Sequence, residues 1–394
     1  MQKPETQQIS VHCILACLYF LLLPTTIAVT SPSNSILKLA TVPIGLYFLI
    51  TLLLSNRKLH INNVHLALLL FTLLIASTLF VAADTISIYH VTGYILNAAL
   101  YLCLTVIPYN KKEMEWMERV QIILLVILNV MTLFSNGSRF DRKTLVIMGQ
   151  TCDPNYFVGF FIFPVTIALK HLVSGKYRLF YLLLIGVSMY SIFLSGSRGG
   201  FLAVAVTFAS FAFLYPTDLA KRILFLVGGG MLLAGLWIIL RPMLPENIVE
   251  RMTIEAVKET NGSGRTLIWK SMVQTIVDEP AKLLFGRGIN TRHKVFVNGI
   301  WNEVVAHNQL IQVVYNQGLI GLLSFLLLTG ISFFRCVKRR KTVAIAILGM
   351  MALSISLSFN QTTRTFWNLI AYAAFAFPED ERKTENIGGK SDNE

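Results

Sequence analysis

"YSIFLSGSRGGFLAVAV", Tyr190 to Val206, sets a single arginine between two strongly apolar runs. Ser197 precedes Arg198, and Gly199 and Gly200 follow it. A charge at the centre of a spanning helix costs about 2.5–3.5 kcal/mol even on the mild translocon scale. Arg198 therefore reads as the tip of a tight hairpin between two helices, at a membrane boundary, and not as the middle of one long helix.

The same pattern extends over the chain. Of 394 residues, 54% are hydrophobic and only 14% are charged. Apolar stretches of roughly 17–25 residues, long enough to cross a bilayer, recur from end to end. They are continuous and do not alternate, so a β-barrel is excluded and an all-α polytopic membrane protein is expected. Length places about twelve transmembrane helices, at 11–29, 36–54, 63–82, 86–107, 117–135, 155–172, 178–195, 199–215, 222–240, 308–334, 342–358 and 365–377. The first carries only Lys3 before a long apolar run, so it reads as a span rather than a signal peptide.

Charge sets the direction. With the N-terminus cytoplasmic, the inner loops hold Arg57/Lys58, Lys111/Lys112/Arg119, Lys170/Lys176/Arg178, Lys221/Arg222 and Arg335/Lys338/Arg339/Arg340/Lys341. Both termini are then cytoplasmic, and Arg198 faces outward. Four divisions follow: a bundle of about nine helices over 1–240, an outward loop subdomain over 241–306, C-terminal helices over 307–377, and a polar tail over 378–394. Within the loop, "ENIVERMTIEAVKET" reads as helical, as does "GRTLIWKSMVQTIVDEP", with Ser263 as N-cap and Pro280 past its end. The net charge of +13 fits orientation signals and anionic headgroups, and nucleic acid is not called for. The five cysteines form no C-x-x-C and no metal-like cluster, and no disulfide framework is expected. Sequons begin at Asn136, Asn261 and Asn360, which matter only in a eukaryotic secretory setting.

The outward arginines run against the charge bias and need a reason. Arg139 and Arg142 lie in "SNGSRFDRKTLVIMGQTCDPNYF", Arg198 in the hairpin, and Arg265 after "NGSG". An arginine at a boundary can simply snorkel to headgroups. A guanidinium fork also binds phosphate bidentately, and a helix N-terminus flanked by glycine adds free N–H groups. Arg198 and Arg265 have that flanking chemistry, so a pyrophosphate site is expected. His307 opens a span in "VVAHNQLIQVVYNQGLIG", with Asn308 and Glu303 near enough in sequence to orient it. A histidine there serves as a cap or as a general base. No outward acidic cluster of metal-binding type is present, so no metal or other cofactor is called for.

"SGSRGGFLA", "SGRTLIWKSMVQTIVDEPAKLLFGRGIN" and "AHNQLIQVVYNQGLIGLLSFLLL" occur in an order and spacing that resemble the bacterial O-antigen ligase/polymerase family; "DPNYF" is also similar. The resemblance covers roughly 130–335, and the first five helices share only general character. It implies a GT-C-like glycosyltransferase of the lipid-linked type in the cytoplasmic (inner) membrane. The donor implied is a glycan on undecaprenyl pyrophosphate at the outer face. The acceptor implied is another carrier-linked glycan or lipid A-core. By the same resemblance Arg198 and Arg265 match phosphate-contacting arginines, Arg139 or Arg142 a further one, and His307 a base. The residues do not separate polymerase from ligase, and polymerisation is the reading preferred. The alternative from another class is a flippase for the same lipid-linked sugars. That function calls for charges at mid-membrane and repeated halves, and neither is seen.

Overall fold

The computed structural model describes residues 8–28, 36–54, 59–135, 137–139, 142–147, 150–216, 218–253, 255, 264–289, 291–297, 300–357 and 363–376. Among these residues there are fourteen α-helices. They are α1 Val11–Leu21, α2 Ile36–Leu54, α3 Asn63–Ser77, α4 Thr85–Thr105, α5 Lys111–Phe134, α6 Pro154–Ser174, α7 Arg178–Leu194, α8 Arg198–Leu214, α9 Leu219–Leu240, α10 Glu246–Arg251, α11 Arg265–Asp278, α12 Gln309–Cys336, α13 Lys341–Ser354 and α14 Arg364–Ala374. Three antiparallel hairpins were not anticipated: β1 Ser138–Arg139 with β2 Arg142–Lys143, β3 Val146–Ile147 with β4 Gln150–Thr151, and β5 His293–Val297 with β6 Ile300–Val304.

Each expected span overlaps a helix, and polar caps set where several begin. Asn110 and Glu113 form a capping box on α5, Asp153 caps α6 with Pro154 at its first turn, and Ser197 caps α8. Six segments are long and apolar enough to cross a bilayer: Asn63–Phe80, Ser87–Thr105, Lys111–Phe134, Pro154–Ser174, Leu219–Met243 and Gln309–Cys336. The others are shorter. α1 stops at Leu21 and passes into a 3₁₀ turn, Leu23–Ala28, because Pro24 supplies no N–H. α14 has 11 residues, about 16 Å of rise against a hydrocarbon core of roughly 30 Å. It is packed inside the bundle, with every residue from Thr365 to Ala374 buried.

The connections sort to two ends, as alternating antiparallel helices require. At one end His60 N donates to Val106 O at 2.7 Å, Asn62 Nδ2 to Ala374 O at 2.6 Å and Lys341 Nζ to Tyr215 O at 3.2 Å. Lys170 pairs with Glu118 there, and Ser10 bonds Glu113. The other end gathers β1–β4, the α7–α8 turn and the segment from α10 to β6, with Gly288 against Ala82 of the α3–α4 connection. α9 buries no residue and lines the periphery. α6 contributes the central packing surface, with Phe157 and Phe161 fully buried.

α12 is broken once. Gly318 sits at φ 68°, ψ −170°, outside helical space. The loop after α11 docks in the break: Leu319 N donates to Leu283 O and Ile320 N to Leu284 O. A side chain at 318 would collide with the Leu284 carbonyl, so only glycine fits.

Candidate functional site

The α7–α8 turn forms the floor. α7 ends at Leu194, Gly196 adopts φ 55°, and Ser197 Oγ accepts the Gly200 N–H at 3.0 Å to start α8. A Cβ on Gly196 would meet Ile248 Cδ1 of α10 at 2.9 Å, and one on Gly199 would collide with Ser356 Oγ. The turn is therefore held between α10 and the end of α13, and Arg198 emerges at the first helical position. Its Nε donates to Arg251 O at 2.8 Å.

The connection before α6 supplies one wall. Arg142 on β2 is buried, with Nε on Ser195 O at 2.7 Å and Nη2 on Asn155 Oδ1 at 3.3 Å. Asn155 Oδ1 also accepts from Ser197 Oγ at 2.7 Å. The Asn155 main-chain and side-chain nitrogens both donate to Asp153 Oδ1, at 2.8 and 3.0 Å. Burial, with the Arg251 charge beside it, pushes Arg142 down to about 10; Asp153 opposes the shift, and Arg265 and Arg198 add to it.

α11 and the start of α12 close the site. Arg265 is the first residue of α11, after Gly264 at φ 75°. Ser263 lies outside the described residues. Burial lowers the Arg265 pKa; the Asp153 charge raises it, and Arg198 and Arg251 lower it further. No hydrogen bond or ion pair engages its guanidinium among the described residues. Across from it, burial and then the Arg265 charge hold His307 below the usual imidazole value, while Asp153 pulls it back. His307 has φ 47° and is the one non-glycine residue with positive φ among those described.

Arg142, Arg198, Arg251 and Arg265 thus share one field with Asp153, and His307 borders it. Of the anticipated residues, the structure brings together Arg142, Arg198, Arg265 and His307. Arg139 is the cross-strand partner of Arg142. Asn308, not His307, caps α12, with Oδ1 accepting from Leu310 N and Ile311 N at 3.0 and 3.3 Å. Glu303 is exposed on β6 opposite Lys294. Arg251, Asp153 and Asn155 were not anticipated. The Asp-Pro pair at 153–154 signals a helix start, but nothing in sequence says that the capping carboxylate also faces arginines. Among the described residues no group of three His, Cys, Asp or Glu could hold a metal ion.

Four guanidinium groups with one carboxylate give this end of the bundle a net cationic cluster, called the cup below. Six segments long and apolar enough to cross a bilayer mark a multi-pass membrane protein, with these arginines at one end of its helical bundle. Residues 180–326 match the family described as O-Antigen ligase, and that segment is an O-antigen ligase family domain. The family is one of glycosyltransferase-type enzymes of membrane polysaccharide and lipopolysaccharide synthesis, acting in general on lipid-linked glycans and their acceptors. Among curated proteins none matches the chain. The family segment contains Arg198, Arg251, Arg265 and His307; Arg142, Asp153 and Asn155 precede it.

Proposed function

We propose that the protein transfers a glycan from undecaprenyl pyrophosphate to a hydroxyl of a second glycan, at the outer face of the cytoplasmic membrane. The observation that carries this reading is the convergence of Arg142, Arg198, Arg251 and Arg265 beside His307. The pyrophosphate occupies the cup, with Arg265 as the open fork. His307 takes the acceptor proton as the acceptor oxygen bonds to the anomeric carbon. The bond from that carbon to the pyrophosphate oxygen breaks, and the electron pair leaves with the lipid pyrophosphate. The arginines stabilise charge growing on that oxygen, and the base contributes about 10²–10⁴-fold. No metal or other cofactor is required in this scheme.

The orientation belongs to the same proposal. Lys111, Lys112, Lys170, Lys221, Arg335, Arg340 and Lys341 lie on connections or helix ends opposite the cup, which supports a cytoplasmic placement of that end and of both termini. Twelve crossings follow if the shorter helices complete the path. A cavity of about 500 Å³, lined by Trp237, Ile238, Arg241, Pro242, Leu244, Glu246 and Val249, borders α10, and its apolar wall suits an isoprenoid chain.

The test is reconstitution in liposomes with a lipid-linked oligosaccharide, following lipid pyrophosphate release and glycan size. Arg265→Ala should lower both on the order of 10²–10³-fold. Full transfer by this variant would overturn the proposal. A ladder formed from carrier-linked glycan alone marks a polymerase; a single addition to lipid A-core marks a ligase.

A further inference from the structure

We infer that Trp269 and Gln312 form a clamp on Ala306 that positions His307 for proton transfer. The inference rests on the reading of His307 as base. Ala306 is fully buried and held on both sides. Its N–H donates to Gln312 Oε1 at 2.8 Å, and its carbonyl accepts from Trp269 Nε1 at 2.6 Å. That carbonyl belongs to the peptide joining Ala306 to His307. The Trp269 bond fixes the plane of that peptide, from which His307 departs into φ 47°, and the Gln312 bond fixes the peptide before it.

The Gln312 amide cannot turn freely. Its Nε2 donates to Asn316 Oδ1 at 2.9 Å, and Asn316 Nδ2 donates to Ile289 O at 2.7 Å. Asn316 O in turn accepts from Arg287 N and Gly288 N. Each amide thus has its nitrogen assigned, and the Gln312 oxygen is left for Ala306. The relay is anchored in the loop that fills the Gly318 break.

Left-handed backbone at a histidine persists where its surroundings impose it, and such conformations cluster at functional sites. Trp269 also lies one turn after Arg265 on α11. One helix thereby carries the open guanidinium and the donor that orients the histidine backbone. Trp269 and Gln312 are positioning residues: they act on the reaction through His307.

The test uses the full-length protein in nanodiscs with a lipid-linked oligosaccharide donor. Trp269→Phe keeps a ring and removes the donor; Gln312→Met keeps the length and removes the acceptor. Each should lower kcat on the order of 10–100-fold, with donor KM unchanged. Gln312→Glu, which retains an acceptor for Ala306 N–H, should keep more turnover than Gln312→Met. In a His307→Asn background neither substitution should lower the residual rate further. Wild-type kcat in both Trp269→Phe and Gln312→Met, while His307→Asn is impaired, would overturn the clamp. Equal losses with and without His307 would also overturn it, by showing a general structural effect. Wild-type turnover in His307→Asn would instead remove the base, and with it the ground for the clamp.

Discussion

Arg198 Nε donates to the main-chain oxygen of Arg251 at 2.8 Å, which ties the α7–α8 turn to the first helix after α9. The four arginines consequently differ in what they have left to offer. Arg142 has two of its nitrogens engaged by Ser195 and Asn155 and contributes frame and charge. Among the described residues, Arg251 Nε is buried without a hydrogen-bond partner, and the Arg265 guanidinium is unengaged. Like charges gathered this way repel, so an anion seated among them should stabilise the fold. Inorganic pyrophosphate should therefore raise the melting temperature of the purified protein, by about 2.7 kcal/mol of stability at a hundredfold excess over Kd. The rise should vanish in Arg265→Ala. An equal rise in that variant would place the anion elsewhere.

Transfer should follow the same division. Arg198→Ala, Arg251→Ala and Arg265→Ala should each lower the rate on the order of 10²–10³-fold while the protein still inserts. Lysine at 265 should rescue poorly, because it offers a point charge in place of a fork. Glycan ladders on gels, with membrane levels checked by immunoblot, measure both effects.

Sequence displayed some of this site and concealed the rest for physical reasons. Arg198, Arg265 and His307 stand at boundaries between apolar and polar composition, the two arginines beside glycines, where a charge needs a reason. Arg251 ends a six-residue helix among other polar residues, and there a charge needs none. Asp153 was obscured by its local role, since an aspartate before proline is explained by capping alone. The hairpin β5–β6 had a signal that went unread, Asn298-Gly299 between apolar residues. β1–β4 are two-residue strands with no alternation to detect. Helix existence was legible because hydrophobic run length forces it; helix completeness was not, because α14 is sheltered by protein and need not match the bilayer.

The floor of the cup depends on close packing. A methyl at Gly199 would collide with Ser356 Oγ, so Gly199→Ala should destabilise the α8–α13 contact by about 1–3 kcal/mol, the usual cost of overpacking. Ser356→Gly in the same chain should restore most of the loss. Thermal unfolding in detergent checks this. No recovery in the double variant would mean that the strain lies elsewhere.

Activity should survive chelation. In the proposed scheme the arginines perform the charge stabilisation that a divalent ion performs elsewhere. Purified protein assayed in EDTA should keep its rate. A loss restored by magnesium or manganese would assign the pyrophosphate a metal partner and demote the arginines.

The acid limb of the pH profile reports on His307. Burial, and after it the Arg265 charge, lowers its pKa from the ordinary ~6.5, while Asp153 pulls in the other direction. A base must be neutral, so kcat/KM, which reflects the free enzyme, should be level near neutrality and fall only below ~6.5. Asp153→Asn removes the charge that favours protonation, and its limb should move further toward acid. Asparagine retains an Oδ1 for the two Asn155 donors, so the cap survives. Arg265→Gln removes a cation and should move the limb of its residual activity toward neutrality. Stability follows the same sign. The unfolded chain takes up the proton near ~6.5 and the folded site resists it, so this histidine's contribution is complete above that value. It is lost as pH falls through the window between the two pKa values. Rate profiles of the three proteins from pH 5 to 8 decide the matter: a limb above ~6.5 in the wild type, or shifts of the opposite sign in the variants, would show that His307 is not the titrating base.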